Sequence, residues 1–319
     1  MAYFTVALVA LAALSLAAGA ASSQTWAQKL GWGANDRVLI VHADDVGMCH
    51  STNLGATAAY ECGIVSSMSV MMPCPHVGEI ADYLREHPET DAGLHLTLTS
   101  EWPRYRWGPV AGAANVPGLT DERGRLWQDG DLVLRHAPPD EVEIEIRAQL
   151  DRALECGISP THMDSHMAVL FLSREYFTRY VKVAAEHGLP ILAVDMAPER
   201  YPDHAPYPAQ HLKAVMRTVW NAGLPVIDDV RAETYGWPVE ERRAEYIKLL
   251  RGLAPGITEV IVHCAADTTE MRTISDDASR WIADGRIMLD PGLRNIIEDE
   301  GIILTTWREL KVRRDAAAS

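Results

Sequence analysis

The sequence predicts an α/β fold in which parallel strands curl into a single (β/α)-barrel domain. Three observations carry that expectation. Short β-rich runs alternate with helical segments about eight times along the chain, the pattern of parallel strands joined by crossovers. The length left after an apolar N-terminal stretch is near the roughly 250 residues such a barrel uses. No G-x-G-x-x-G or P-loop follows any strand, so a nucleotide-binding sheet lacks support. An open doubly wound sheet is the alternative topology.

The chain opens with "YFTVALVALAALSLAAGAASSQ", an apolar run ending in small residues, with Ala18-Gly19-Ala20 fitting an A-x-A cleavage pattern. Residues 1–23 are therefore read as a signal peptide for export to the periplasm or the exterior, and residues 24–319 as the barrel domain. The run is short for a membrane span. It carries no Lys or Arg ahead of it, so a retained anchor is the other reading. Strands are then expected at Arg37–His42, Ser66–Met72, Ala92–Leu98, Pro160–Asp164, Pro190–Val194, Pro225–Ile227, Glu259–Val262 and Ile302–Thr305. The clearest helix is "PPDEVEIEIRAQLDRALECG", opened by Pro139 and acidic residues and closed by Gly157. Its Val142, Ile146, Leu150, Ala153 and Leu154 recur at helical spacing. The connection from Ser100 to Pro139 exceeds ordinary loop lengths and is expected to be functional or partly structured.

Composition narrows the function. Lys and Arg total 29 against 44 Asp and Glu, a net charge of −15 in 319 residues. A nucleic-acid backbone needs a basic face, so it is excluded as partner, and an anionic membrane surface is disfavoured. Self-association into a homo-oligomer is left open. The five cysteines (Cys49, Cys62, Cys74, Cys156, Cys264) show no C-x-x-C spacing, and most are expected to be small buried hydrophobes.

The chemistry-bearing residues gather at strand ends. "RVLIVHADDVGM" runs an apolar strand into adjacent carboxylates, Asp44 and Asp45. In "AGLHLTLT" the leucines take one face and His95 the other. "THMDSHM" alternates His162, Asp164 and His166, and "TEVIVHCAAD" ends its strand at His263. Each alone has a structural explanation, as a bonded core histidine or a helix cap. Together they bring Asp or His from four strands to the rim where barrel enzymes place their chemistry. One Asp with two His is a hydrolytic ligand set for a divalent ion. It would also explain the carboxylate pair: one member binds the cation, the other stays free as a base.

The motifs "ADDVG", "GLHLTLT" and "THMDSHM" resemble, in order and spacing, those of the YdjC-like carbohydrate deacetylases, which include chitooligosaccharide and hopanoid-pathway enzymes. The resemblance runs from about Arg37 to Trp307. It implies a distorted TIM-like (β/α)-barrel that removes acetyl groups from N-acetylated sugars with one divalent ion, magnesium or zinc. It assigns the metal to Asp45, His95 and His166, the base to Asp44 and the acid to His263. His162 and Asp164 then read as groups behind the site that orient His166 or His263. Val46 in "ADDVG" and the run Met167-Ala168-Val169 after "DSH" depart from the family pattern and mark a subgroup.

In the long connection, "SEWPRYRWGPV" supplies Trp102, Tyr105 and Trp107, suited either to stacking on a sugar ring or to anchoring the loop. Absence of a G-x-S-x-G elbow disfavours a serine nucleophile, and Cys264 is the weaker thiol candidate. Two rivals to a deacetylase are a sugar-binding barrel without turnover and a different metal-dependent hydrolase or isomerase on the same fold.

Overall fold

In a computed structural model that describes residues 24–195 and 209–317, strand β1 (Arg37–Val46) organises everything around it. Its side chains alternate between two surroundings. Leu39, Val41 and Ala43 pack into the main apolar cluster, whereas Val38 and Ile40 join a smaller one with Ile257, Ile227, Leu192 and Val194. This is the period of two that a strand imposes. It separates a face covered by helices from a face turned into the curl of the sheet.

Six further strands are present among the described residues: β2 (Ser67–Val70), β3 (Ala92–Leu96), β4 (Met163–Ser165), β5 (Asp229–Arg231), β6 (Gly256–Val262) and β7 (Ile303–Leu304). All pair in parallel, in the order β4-β3-β2-β1-β6-β5. Strand β7 pairs with Val38 and Leu39 near the start of β1, and β2 pairs further along, from His42 to Val46. Helices α1 (Trp26–Lys29), α2 (His50–Cys62), α3 (Val77–Glu86), α4 (Gly130–His136), α5 (Pro139–Glu155) and α6 (Arg174–His187) come first. They are followed by α7 (Ala209–Asn221), α8 (Arg242–Arg251), α9 (Thr269–Ile274), α10 (Ala278–Met288), α11 (Pro291–Asp299) and α12 (Trp307–Ala316).

The result is a single α/β domain with a curled parallel sheet, not a full barrel. The expected strand at Pro190–Val194 is the departure. It makes single bridges, Ile191 to Met163 and Val194 to Ile227, instead of a ladder. Pro190 has no N–H to give, and β4 beside it is three residues long. The expected strand at Pro225–Ile227 forms later, at β5, leaving only the Ile227 bridge at its predicted place. The wall between β4 and β5 is therefore stitched rather than laddered. The expected signal segment lies outside the described residues. No helix among the described residues is long and apolar enough to cross a membrane.

The space inside the curl is filled from one end. Trp307 and Leu310 of α12, with Ala27 of α1, close the smaller apolar cluster. Burying each such large side chain contributes roughly 1.5–3 kcal/mol. Helix α5 forms as its sequence dictates, with Pro139 in its first turn and Gly157 at φ +79° just beyond its end. Val142, Ile146, Leu150 and Ala153 are buried, but Leu154 is 52% exposed. It lies off the stripe by one residue's rotation. The same helix fixes the end of β3, because the Gln149 amide receives Thr97 N–H at 3.0 Å and donates to Thr97 O at 2.7 Å. The long connection is partly structured, with a one-turn 3-10 helix at Pro117–Leu119 and then α4.

Candidate metal centre

Neighbouring residues of a regular strand point to opposite faces, so Asp44 and Asp45 need a break to share one. The chain supplies it. Pairing of β1 with β2 slips between Ala43 and Val46, and Asp45 stands at φ +60°. A left-handed residue costs about 1–2 kcal/mol, and Asp is among the few side chains that adopt it readily. This bulge turns both carboxylates toward His95: Asp45 Oδ1 lies 3.1 Å and Asp44 Oδ2 3.9 Å from His95 Nε2.

The other imidazoles arrive from β3, β4 and β6. His95 points away from Leu94 and Leu96, which are fully buried on the helix side. His166 begins a 3-10 turn directly after β4, followed by Met167 and Ala168 at φ +51° and +54°. His166 Nδ1 lies 3.0 Å from Asp45 Oδ1 and 3.2 Å from His95 Nε2. One ligand atom from each of Asp45, His95 and His166 lies within 4.8 Å of the others. Both Asp45 oxygens are buried without an aligned hydrogen bond, although two ring nitrogens are close. Buried carboxylate lone pairs left without an aligned donor, with two ring nitrogens converging on them, are what a cation site requires.

The electrostatics agree with that geometry. Burial alone would raise the Asp45 carboxyl, but His166 and His95 hold it well below the usual carboxylate range. Burial likewise opposes a charge on His166, yet Glu101 and Asp45 push its pKa up to about 10. His95 is raised well above the ordinary imidazole value, against burial, by Asp164 and Asp44. The surroundings thus favour positive charge at the point where these rings meet.

Asp164 departs from its expected partners. It receives His95 Nδ1–H at 2.7 Å and faces His42 Nε2 at 2.9 Å, rather than orienting His166 or His263. The reason is register: Asp164 is the residue paired with His95 across β3 and β4. His162 also turns elsewhere, stacking on Trp307 at 5.4 Å and meeting His42 edge-on at 5.0 Å. Burial and then His42 lower its pKa to about 4, so it is neutral. Gly93 leaves it room, since a Cβ there would stand 2.5 Å from the ring.

His263 follows β6 with Nε2 3.6 Å from Asp45 Oδ2 and 2.7 Å from the Tyr235 hydroxyl. Its ring sits between Tyr235 and Trp281, at 4.2 and 5.0 Å between centroids. Trp102, partly buried, packs edge-on against Trp281 at 6.0 Å and so stands beside the site. Tyr105 is half-buried and donates to Met48 O at 2.8 Å. Trp107 is buried and donates to Thr99 O at 2.9 Å, so it anchors the loop and offers no face to a sugar. Cys264 is buried and its thiol is pushed well up by desolvation, which removes it as a nucleophile.

Sequence reasoning missed His42, Glu101, Tyr235 and Trp281. Glu101 Oε2 lies 3.1 Å from His166 Nε2 and steers that ring from behind. Its one sequence signal is position, a few residues beyond the end of β3 at Leu96.

The family model described as YdjC-like protein matches residues 38–299. The carbohydrate deacetylase of Thermus thermophilus is 31% identical over 284 residues, spanning 89% of this chain and 97% of that protein. The chitooligosaccharide deacetylase of Proteus mirabilis is 26% identical over 280 residues, spanning 86% and 98% respectively. A crystal structure from Enterococcus faecalis, named for a proposed role in cellobiose-phosphate cleavage, shares the fold at a TM-score of 0.73 and 22% identity, over 86% of this chain and 99% of its own. With a family match across most of its length and the three expected motifs meeting at one rim, the chain belongs to the YdjC-like family.

Proposed function

We propose that the protein is a metal-dependent hydrolase that removes N-acetyl groups from an amino sugar or its oligomers. The observation that carries this reading is the meeting of Asp45, His95 and His166 with their ligand atoms within 4.8 Å of one another, beside a second carboxylate that is not part of the set. The carbohydrate deacetylases among the relatives support the acetylated sugar as substrate class. Two imidazoles and one carboxylate suit a zinc-like ion better than magnesium, which prefers oxygen donors.

Asp45, His95 and His166 would hold the ion, and Glu101 and Asp164 would orient the two rings. When bound, a divalent ion polarises the acetamide carbonyl and lowers the pKa of water from 15.7 towards about 7. Asp44 takes a proton at its carboxylate as water adds to the carbonyl carbon. His263 gives a proton from Nε2 to the sugar nitrogen as the C–N bond breaks. Acetate and a free amine leave, and solvent returns each group to its starting state. Acid and base roles of this kind are typically worth about 10²–10⁴-fold each. Trp102, beside Trp281, offers a partly exposed ring on which a sugar face can stack.

Acetate released from N-acetylglucosamine oligomers is the direct test. The reading expects release that stops on chelation and returns with added zinc or another divalent ion. Asp44→Asn should cut kcat by about 10²-fold or more while metal content is kept. Acetate release from no N-acetylated sugar, or Asp44→Asn as active as the parent, would sink it. An inactive sugar-binding barrel would have no rate to lose.

A further inference from the structure

His42 stands one alternation below Asp44 on β1, inside the curl of the sheet, and is fully buried. Three acceptors crowd its Nε2: Asp164 Oδ2 at 2.9 Å, Ser69 Oγ at 3.0 Å and Asp44 Oδ1 at 3.2 Å. Carboxylates in this setting can only accept, so Nε2 carries the proton. The other ring nitrogen, Nδ1, meets Ser67 Oγ at 3.0 Å, which locks the ring plane. Asp164 uses its second oxygen on His95 Nδ1 at 2.7 Å, and Ser69 Oγ also reaches that atom at 3.1 Å. Asp44 Oδ1 is buried and has no aligned hydrogen bond, so the N–H edge of His42 is its nearest positive neighbour on this side.

We propose that His42 is a positioning residue for the base: its Nε2–H is given to Asp164, and the same ring edge, 3.2 Å from Asp44 Oδ1, keeps that carboxylate inward by charge attraction and ties it, through Asp164, to His95. With Oδ1 held, Asp44 presents Oδ2 toward the Asp45–His95–His166 centre. One buried carboxylate, Asp164, then fixes both the ring that faces the metal site and the ring that faces the base. The distance between base and metal centre is set by three packed strands, β1, β3 and β4, rather than by a loop. This inference rests on the reading of Asp44 as the base.

Two variants of the full-length, zinc-loaded protein test it. His42→Phe keeps the ring and loses both nitrogens. His42→Gln restores an N–H near the Nε2 position. Zinc stoichiometry should stay at one in both. On an N-acetylglucosamine oligomer, His42→Phe should lower kcat by about 10²-fold with KM within about twofold, and His42→Gln should recover at least tenfold of that loss. In an Asp44→Asn background, His42→Phe should lower the residual rate no further, because a residue acting only through Asp44 has nothing left to position. An equal loss in both backgrounds, or a change confined to KM, would overturn the proposal. A readout without turnover separates its failure from that of the deacetylase reading. In crystals of zinc-loaded His42→Phe, the Asp44 carboxylate should leave its place while Asp45, His95 and His166 keep theirs. An unmoved Asp44 would refute the positioning role whatever the substrate is.

Discussion

Glu259 sits opposite Ile40 across β1 and β6, fully buried, with neither carboxylate oxygen in an aligned hydrogen bond. Burial is the main reason its pKa rises to about 8, with His42 pulling the other way. A carboxyl raised on folding lends its full stability below the unfolded value and loses it as pH climbs to the folded one. Stability from this residue is thus present below about pH 4.5 and declines between there and about pH 8. Glu259→Gln removes the titration. The melting temperature of the variant relative to the parent should therefore rise steadily from pH 5 to pH 8, by an amount worth up to a few kcal/mol. A constant difference across that range would show that Glu259 does not titrate there. Residues of this kind were invisible in the sequence. A glutamate in "TEVIVHC" reads as a surface position until the curl of the sheet closes over it.

At the scale of elements, the decisive contact is between α2 and the chain that follows β6. Gly55 of α2 lies so close that a Cβ there would stand 2.5 Å from Ala265 Cα. Ala266 N–H donates to Ser51 O at 2.8 Å, and Ala265 N–H donates to Trp281 O at 3.1 Å. His263 is thereby held between α2 and α10. Gly55→Ala should cost about 1–3 kcal/mol in chemical denaturation, as overpacking does. It should also depress kcat more than KM, because the displaced segment carries the proposed acid. Equal stability of parent and variant would show that the helix simply shifts. Element by element, β1, β3 and β6 were legible because the apolar runs of β1 and β6 and the alternation of β3 are local. The strand expected at Pro190–Val194 was not, since only a partner strand could have turned its bridges into a ladder.

For the molecule as a whole, the proposed ion is a clasp across β1, β3 and the end of β4. A ligand that binds only the folded chain stabilises it by about 2.7 kcal/mol at a hundredfold excess over Kd. Zinc should accordingly raise the melting temperature of the parent protein, and Asp45→Asn should abolish that rise without unfolding the apoprotein. An identical zinc response in Asp45→Asn would place the ion elsewhere.

The sequence by itself determined the types of chemical group and the strand ends that carry them, because a strand's alternation and a motif's spacing are written in consecutive residues. Asp44, Asp45, His95, Asp164, His166 and His263 could all be named from that pattern. Only the tertiary structure decided who meets whom. Register across β3 and β4 gave Asp164 to His95, a slip in β1 turned Asp45 inward, and packing buried Trp107 while setting Trp281 beside His263. Those outcomes depend on distances between residues remote in the chain, which no local pattern encodes.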